Sequence, residues 1–144
     1  MIVLADSSPL ITLARARYFE LLHEFYGEVV VSREVRDEIS VAGAGLPGAG
    51  EMQQANWIRV QPNPSESSPE VKAACAGLGA GERSSIYLAS SLTADLVLID
   101  EERVRRAAKT VGLNVAGSIA VLERGARLGR VDDHRRVRGG PPPP

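Results

Sequence analysis

In 144 residues there is one cysteine, Cys75, and there are two histidines, His23 and His134. A lone cysteine excludes an internal disulfide framework and any CxxC metal or redox site. Neither histidine lies near the acidic motifs described below, so a zinc centre and a Ser-His-Asp or Cys-His nucleophile are unsupported. His23 reads as a packing or helix-surface residue and His134 as part of a tail. Aromatic residues make up only 4% of the chain, which is poor material for platforms that stack successive nucleic-acid bases. No apolar run approaches the roughly 18 residues of a membrane-spanning helix. Asp6 interrupts the N-terminal apolar stretch too early for an export signal. The expected setting is therefore a reducing cytoplasm, away from the membrane.

Glycine motifs are equally unproductive. Gly43-Ala44-Gly45-Leu46-Pro47-Gly48 fits GxGxxG by letter, but it follows a helical pattern and contains Pro47. Without a preceding strand it is no dinucleotide fingerprint, and no GK[ST] follows any glycine loop. Net charge is -1, yet its distribution is uneven. Residues 1–102 are strongly acidic, whereas residues 103–144 hold Arg103, Arg105, Arg106, Lys109, Arg124, Arg127 and Arg130 among others. An acidic body joined to a basic end calls for an explanation.

What the chain does have is a regular alternation. Short apolar runs at residues 2–5, 29–31, 57–60, 96–99 and 113–115 read as strands. Between them lie helical patterns: one after Ser8-Pro9, read as an N-cap with proline in the first turn, and one at residues 18–25 ending at Gly27. Further helices are expected at residues 32–39 behind a Ser32 cap, from Ser68-Pro69 to about Cys75, and from Gly81 onward. Two more are expected at residues 102–111 and 119–128. Residues 41–50 and 61–68 read as loops. This order predicts one α/β domain at residues 1–131, with a central parallel β-sheet flanked by helices on both faces. Residues 132–144, rich in Arg, Gly and Pro, read as a flexible tail.

In such a sheet, ligands bind beyond the carboxyl ends of the strands. Two of the clearest strands end there in a carboxylate, Asp6 and Asp100. Either one alone is as well explained as a helix cap; two on one edge suggest a site. Glu38, on the helix behind Ser32, and Glu82, opening the helix after Gly81, are placed to return to that edge. Their plain alternatives are a solvated acidic face and a favourable charge at a helix N-terminus. An oxygen-only acidic cluster selects hard cations such as Mg²⁺ or Mn²⁺.

These residues carry a resemblance. Asp6-Ser7-Ser8-Pro9-Leu10-Ile11, Val35-Arg36-Asp37-Glu38-Ile39, Gly81-Glu82-Arg83 before Ile86, Leu98-Ile99-Asp100-Glu101 and Gly117-Ser118-Ile119 occur in the order of a PIN domain. The chain resembles the VapC-like toxin branch over residues 1–131. Two positions depart from that pattern: many members carry Asp where this chain has Glu82, and Thr or Ser where it has Leu98.

The resemblance implies a PIN-like fold and a metal-dependent endoribonuclease, the toxin of a type II toxin–antitoxin system. Its acidic quartet maps onto Asp6, Glu38, Glu82 and Asp100, holding Mg²⁺ or Mn²⁺. RNA is the substrate, a homodimer the expected assembly, and a cognate antitoxin protein the expected partner. Ser8 is a candidate hydrogen-bond partner of Asp6. Glu101 and Glu102 are alternative ligands to Glu82, although each also reads as an i,i+4 partner of Arg105 or Arg106. Arg103 and Arg106 are candidates for binding RNA phosphates, with a solvated basic face as the alternative. Two other readings stay open: a catalytically idle PIN-like binding module, and another Mg²⁺-dependent phosphodiesterase.

Overall fold

The structure is a computed structural model that describes residues 1–42, 48–64 and 66–131. Its five strands are β1 (Val3–Ala5), β2 (Val29–Ser32), β3 (Ile58–Gln61), β4 (Leu96–Leu98) and β5 (Val115–Ala116). The helices are α1 (Ser7–Arg15), α2 (Leu21–Tyr26), α3 (Arg33–Ala42), α4 (Ala49–Gln54), α5 (Pro69–Ala74), α6 (Ala80–Leu92), α7 (Glu102–Thr110) and α8 (Ser118–Arg127). All strand pairings are parallel, in the order β3-β2-β1-β4-β5. The expected α/β architecture is therefore the observed one.

The inner strands β1, β2 and β4 alternate their side chains between two cores. Val3, Ala5, Val29, Val31 and Leu98 face the core shared with Leu10, Leu13, Leu22, Val35, Ile39 and Val121, from α1, α2, α3 and α8. Leu4, Val97 and Ile99 face the opposite core, with Val71, Ile86, Leu88, Val104 and Ala108 of α5, α6 and α7. A strand buried on both faces has no polar positions to alternate, which is why these runs read as continuous apolar segments. Cys75 is fully buried in the second core, and burial pushes its thiol pKa up, so it is a packing residue and no nucleophile.

Several local signals act as expected. The Ser68 hydroxyl accepts from the Val71 N–H at 3.2 Å, with Pro69 at the first helical position. Ser32 caps α3 by accepting from the Val35 N–H at 3.0 Å. Others differ. The N-cap of α1 is Asp6, not Ser8, and Pro9 falls within the first turn, where its missing N–H costs no helical bond. Residues 49–54 form α4 instead of the end of a loop, helped by the Glu51 carboxylate, which accepts from the Gly48 N–H at 3.0 Å. The last strand pairs through Val115 and Ala116, a residue later than the apolar run suggested. The expected tail at 132–144 lies outside the described residues.

His23 stacks on Trp57 with ring centroids 5.2 Å apart, and its Nδ1–H donates to the Gly27 carbonyl at 2.7 Å. Both lie beside a cavity of about 550 Å³ near the start of β3, whose lining includes Arg17, Glu20 and Gln54. No helix among the described residues is long and apolar enough to cross a membrane.

Candidate active site

Strand order decides where chemistry is possible. The chain runs from β1 outward to β2 and β3, then crosses back to place β4 on the other side of β1. A parallel sheet is open to a ligand at the carboxyl end of such a switch point. Asp6 leaves β1 there and Asp100 lies two residues beyond β4. The Asp6 N–H donates to the Leu98 carbonyl at 2.9 Å, locking the two strand ends together.

Asp6 is buried, with 4% of its surface exposed. Its Oδ1 accepts from the Ser85 hydroxyl at 2.9 Å, and the Ser7 N–H donates to the same carboxylate. Burial nevertheless raises its pKa, and the neighbouring charges of Glu82 and Glu38 push it further in the same direction. Glu38 projects from α3 and also titrates high, first because of partial burial and then because of repulsion by Glu82; the Ser7 hydroxyl hydrogen-bonds it and works against the rise.

Glu82, in the first turn of α6, accepts from the Gly79 N–H at 2.9 Å. The carboxyl of the exposed Glu101 comes within hydrogen-bonding reach of Glu82. That approach and their mutual repulsion raise the Glu101 pKa. Asp6, Glu38, Glu82 and Glu101 thus form one electrostatic group, drawn from β1, α3, α6 and the start of α7.

Asp100 is held apart from that group. Its Oδ1 accepts from the Ser118 N–H at 2.7 Å and its Oδ2 from the Ser118 hydroxyl at 2.9 Å, at the N-terminus of α8. Gly117 makes this approach possible, since a Cβ there would lie 2.9 Å from Asp100 Oδ1. The Arg105 guanidinium lies over the same glycine, and its Nε is buried without a partner among the described groups.

The other sequence candidates lie farther out. Ser8 is exposed; Ser7 is the serine that serves both Asp6 and Glu38. Glu102 is exposed and reaches Arg106 at 4.0 Å, while Arg103 reaches Glu101 at 3.6 Å. Ser85 was not singled out from the sequence; Ser7 and Ser118 entered only as members of matched motifs, and Arg105 only as a basic residue and an i,i+4 partner for Glu101. A short hydroxyl carries no periodic signal, and the Ser85 partner lies 79 residues away.

The donor set is chemically suited to a hard divalent cation: carboxylate oxygens that repel one another, with Glu34 Oε2 buried and unpartnered beside Glu38. Among the described residues, no three carboxylate, histidine or cysteine groups stand close enough to grip an ion together. Asp100 already spends both oxygens on Ser118, and Glu82 spends one on Gly79.

Gly81 offers a clean way to disturb this arrangement. A Cβ at Gly81 would overlap the Glu38 carboxylate, the movable end of a flexible side chain. Alanine is about 1 kcal/mol better than glycine inside a helix. Gly81→Ala should therefore leave melting temperature unchanged or raised while displacing Glu38 and weakening Mn²⁺ binding. A variant that melts as expected and binds Mn²⁺ like wild type would remove Glu38 from the site.

Comparison with known proteins agrees with the fold. A family model, DUF3368, described as a PIN domain, matches residues 2–137. The crystal structure of PAE2754 from Pyrobaculum aerophilum superposes with a TM-score of 0.58 at 16% identity, covering 88% of this chain and 90% of that one. At that identity the likeness concerns the fold alone. No curated protein matches the sequence.

Proposed function

The chain belongs to the DUF3368 family of PIN domains, a class whose members are usually nucleases that act on RNA and generally use divalent metal ions; from that premise we propose that it is a Mg²⁺- or Mn²⁺-dependent endoribonuclease. The observation that carries this reading is the convergence of Asp6, Glu38, Glu82 and Glu101, from four separate elements, at the carboxyl edge of the parallel sheet. Carboxylates that raise one another's pKa are unfavourable without a counter-charge. A catalytic role gives that arrangement a reason.

In this reading Asp6, Glu38 and Glu82 would hold the metal once their side chains close on it from the wider spacing seen here, Asp100 would complete the set by a lone pair not used by Ser118, and Glu101 would be a further ligand. Glu102, exposed and turned to Arg106, takes no direct part. When bound, the ion supplies positive charge for the scissile phosphate and lowers the pKa of an attacking water. The protein's own work is positional. Ser85 fixes the rotamer of Asp6, Ser7 bridges Asp6 and Glu38, and Ser118 aims Asp100. The domain occupies residues 1–131 with an appended tail at 132–144. The protein acts in the cytoplasm as the homodimeric, VapC-like toxin of a type II toxin–antitoxin system, silenced by a cognate antitoxin.

Arg103 and Arg106 stand on the exposed side of α7, next to the acidic edge, with side chains 63% and 75% exposed. Long-range attraction from such groups offsets the acidic site as RNA approaches. Reversing either charge is expected to weaken RNA binding and to lower the slope of log affinity against log salt by about one. An unchanged slope would remove both residues from the RNA path.

The deciding experiment is cleavage of a mixed tRNA and mRNA pool in Mn²⁺, with and without chelator and with Asp6→Asn. Cutting lost in both controls supports the reading. Metal-independent RNA binding without cleavage favours an idle module, and cleavage suppressed by small phosphate esters favours a different phosphodiesterase.

A further inference from the structure

Beneath the acidic edge runs a second line of polar groups that the proposed chemistry leaves unused. Ser32, the last residue of β2, and Ser84, on α6, are both buried, and their hydroxyls meet at 2.7 Å. Their neighbours fix the direction of each proton. The Ser84 hydroxyl donates to the Gly81 carbonyl at 2.6 Å, which uses its single proton. Ser32 must therefore donate to Ser84, while its own oxygen accepts from the Val35 N–H at 3.0 Å. The chain of bonds is unbranched and leaves no hydroxyl proton free.

This chain ties the first turn of α3 to the first turn of α6. Those are the backbone segments from which the two glutamates project. Glu38 lies one turn beyond Val35, its carboxylate rests against Gly81, and Glu82 follows Gly81 directly. Ser85, the next residue on α6, serves Asp6. Adjacent helix positions point about 100° apart, so two neighbouring hydroxyls key α6 to the ends of both β2 and β1. Alanine would fill the buried Ser84 position with better helix propensity and no polar group to satisfy. What serine adds is direction.

Resting on the nuclease reading above, we propose that Ser84, acting through Ser32, is a positioning residue that sets the spacing of the Glu38 and Glu82 carboxylates, and with it the affinity of this edge for a divalent cation. The test is Mn²⁺ binding to the full chain, read from the electron-paramagnetic-resonance signal of free Mn²⁺, for wild type, Ser32→Ala, Ser84→Ala and the double variant. Melting of the metal-free proteins is followed in parallel. Each single change should raise the Mn²⁺ dissociation constant about tenfold, as loss of groups that orient metal ligands does. The double variant should lose little more, because both changes break one link.

A purely structural role would lower the melting temperature and leave the dissociation constant of the folded variants unchanged, which would overturn the proposal. Ser84→Cys, close in volume but weaker in hydrogen bonding, stands in if the alanine variant does not fold, and the same shift is expected of it. A wild type that takes up no Mn²⁺ would overturn the nuclease reading and this proposal together. Normal uptake by wild type and by the serine variants alike would overturn the proposal alone.

Discussion

Asp6→Asn is expected to lower RNA cleavage by at least about 100-fold and, in metal-free protein at pH 7, to raise the melting temperature. The first effect follows from its proposed place as a direct ligand, since even groups that only orient a ligand are worth about 10- to 100-fold. The second follows from burial. Asp6 is almost fully enclosed, and its charge is disfavoured by lost hydration and by the fields of Glu82 and Glu38. Asparagine keeps the shape and an oxygen for the Ser85 hydroxyl while removing the charge, so the fold is relieved as the activity is lost. Calorimetry and a cleavage assay on the same preparation check both halves. A variant that cuts RNA at the wild-type rate would remove Asp6 from the chemistry. One that is inactive but melts lower would mean that the aspartate holds the fold together.

The second large effect is the exchange between protons and metal at the same carboxylates. Asp6 and Glu38 titrate above their ordinary values of 3.8 and 4.5, mainly because burial disfavours their charged forms. Glu101 is raised above 4.5 by the close approach of the Glu82 carboxyl. An acid whose pKa is raised on folding binds more protons folded than unfolded. Its favourable contribution is complete below the unfolded value and disappears as pH rises through the folded one. Metal-free protein should therefore lose stability as pH climbs from about 4 toward neutrality.

Mn²⁺ needs the ionised carboxylates, so its benefit should grow over that same range. At a hundredfold excess over Kd the gain is about 2.7 kcal/mol, or roughly 6–11 °C for a domain of this length. Melting curves at several pH values, with chelator and with Mn²⁺, read this directly, and the two sets should diverge as pH rises. Curves that coincide at every pH would leave the acidic edge without a cation.

The sheet was legible because strands enclosed on both faces carry their signal in every residue, as at residues 96–99. The two aspartates were legible for the same reason, standing where an apolar run breaks. Caps at Ser32 and Ser68 follow from local geometry and needed no tertiary information. The sequence around α4 is a different case: Ala49-Gly50 has weak helix propensity, and the stabilising Glu51–Gly48 bond has no periodicity to betray it. The Asp100–Ser118 clasp was equally silent, because it depends on α8 returning across the end of β4. The same holds for the substitution of Ser7 for Ser8, since a shift of one residue in the helix start turns a different hydroxyl toward the carboxylates.

The central position of β1 also governs when the protein becomes complete. Its flank against β4 closes through contacts such as the Ile2 N–H to Asp95, which span 93 residues of sequence. Pairings of that range form late, after loop closure has been overcome. During synthesis from the N-terminus, Asp6 emerges first but has neither Ser85 nor the β4 edge beside it until most of the chain has left the ribosome. Nascent or prematurely terminated chains should thus carry β1 exposed and prone to association, and on the proposed ribonuclease reading they would leave RNA uncut. Such a delay separates the synthesis of the first acidic residue from the completion of the acidic edge.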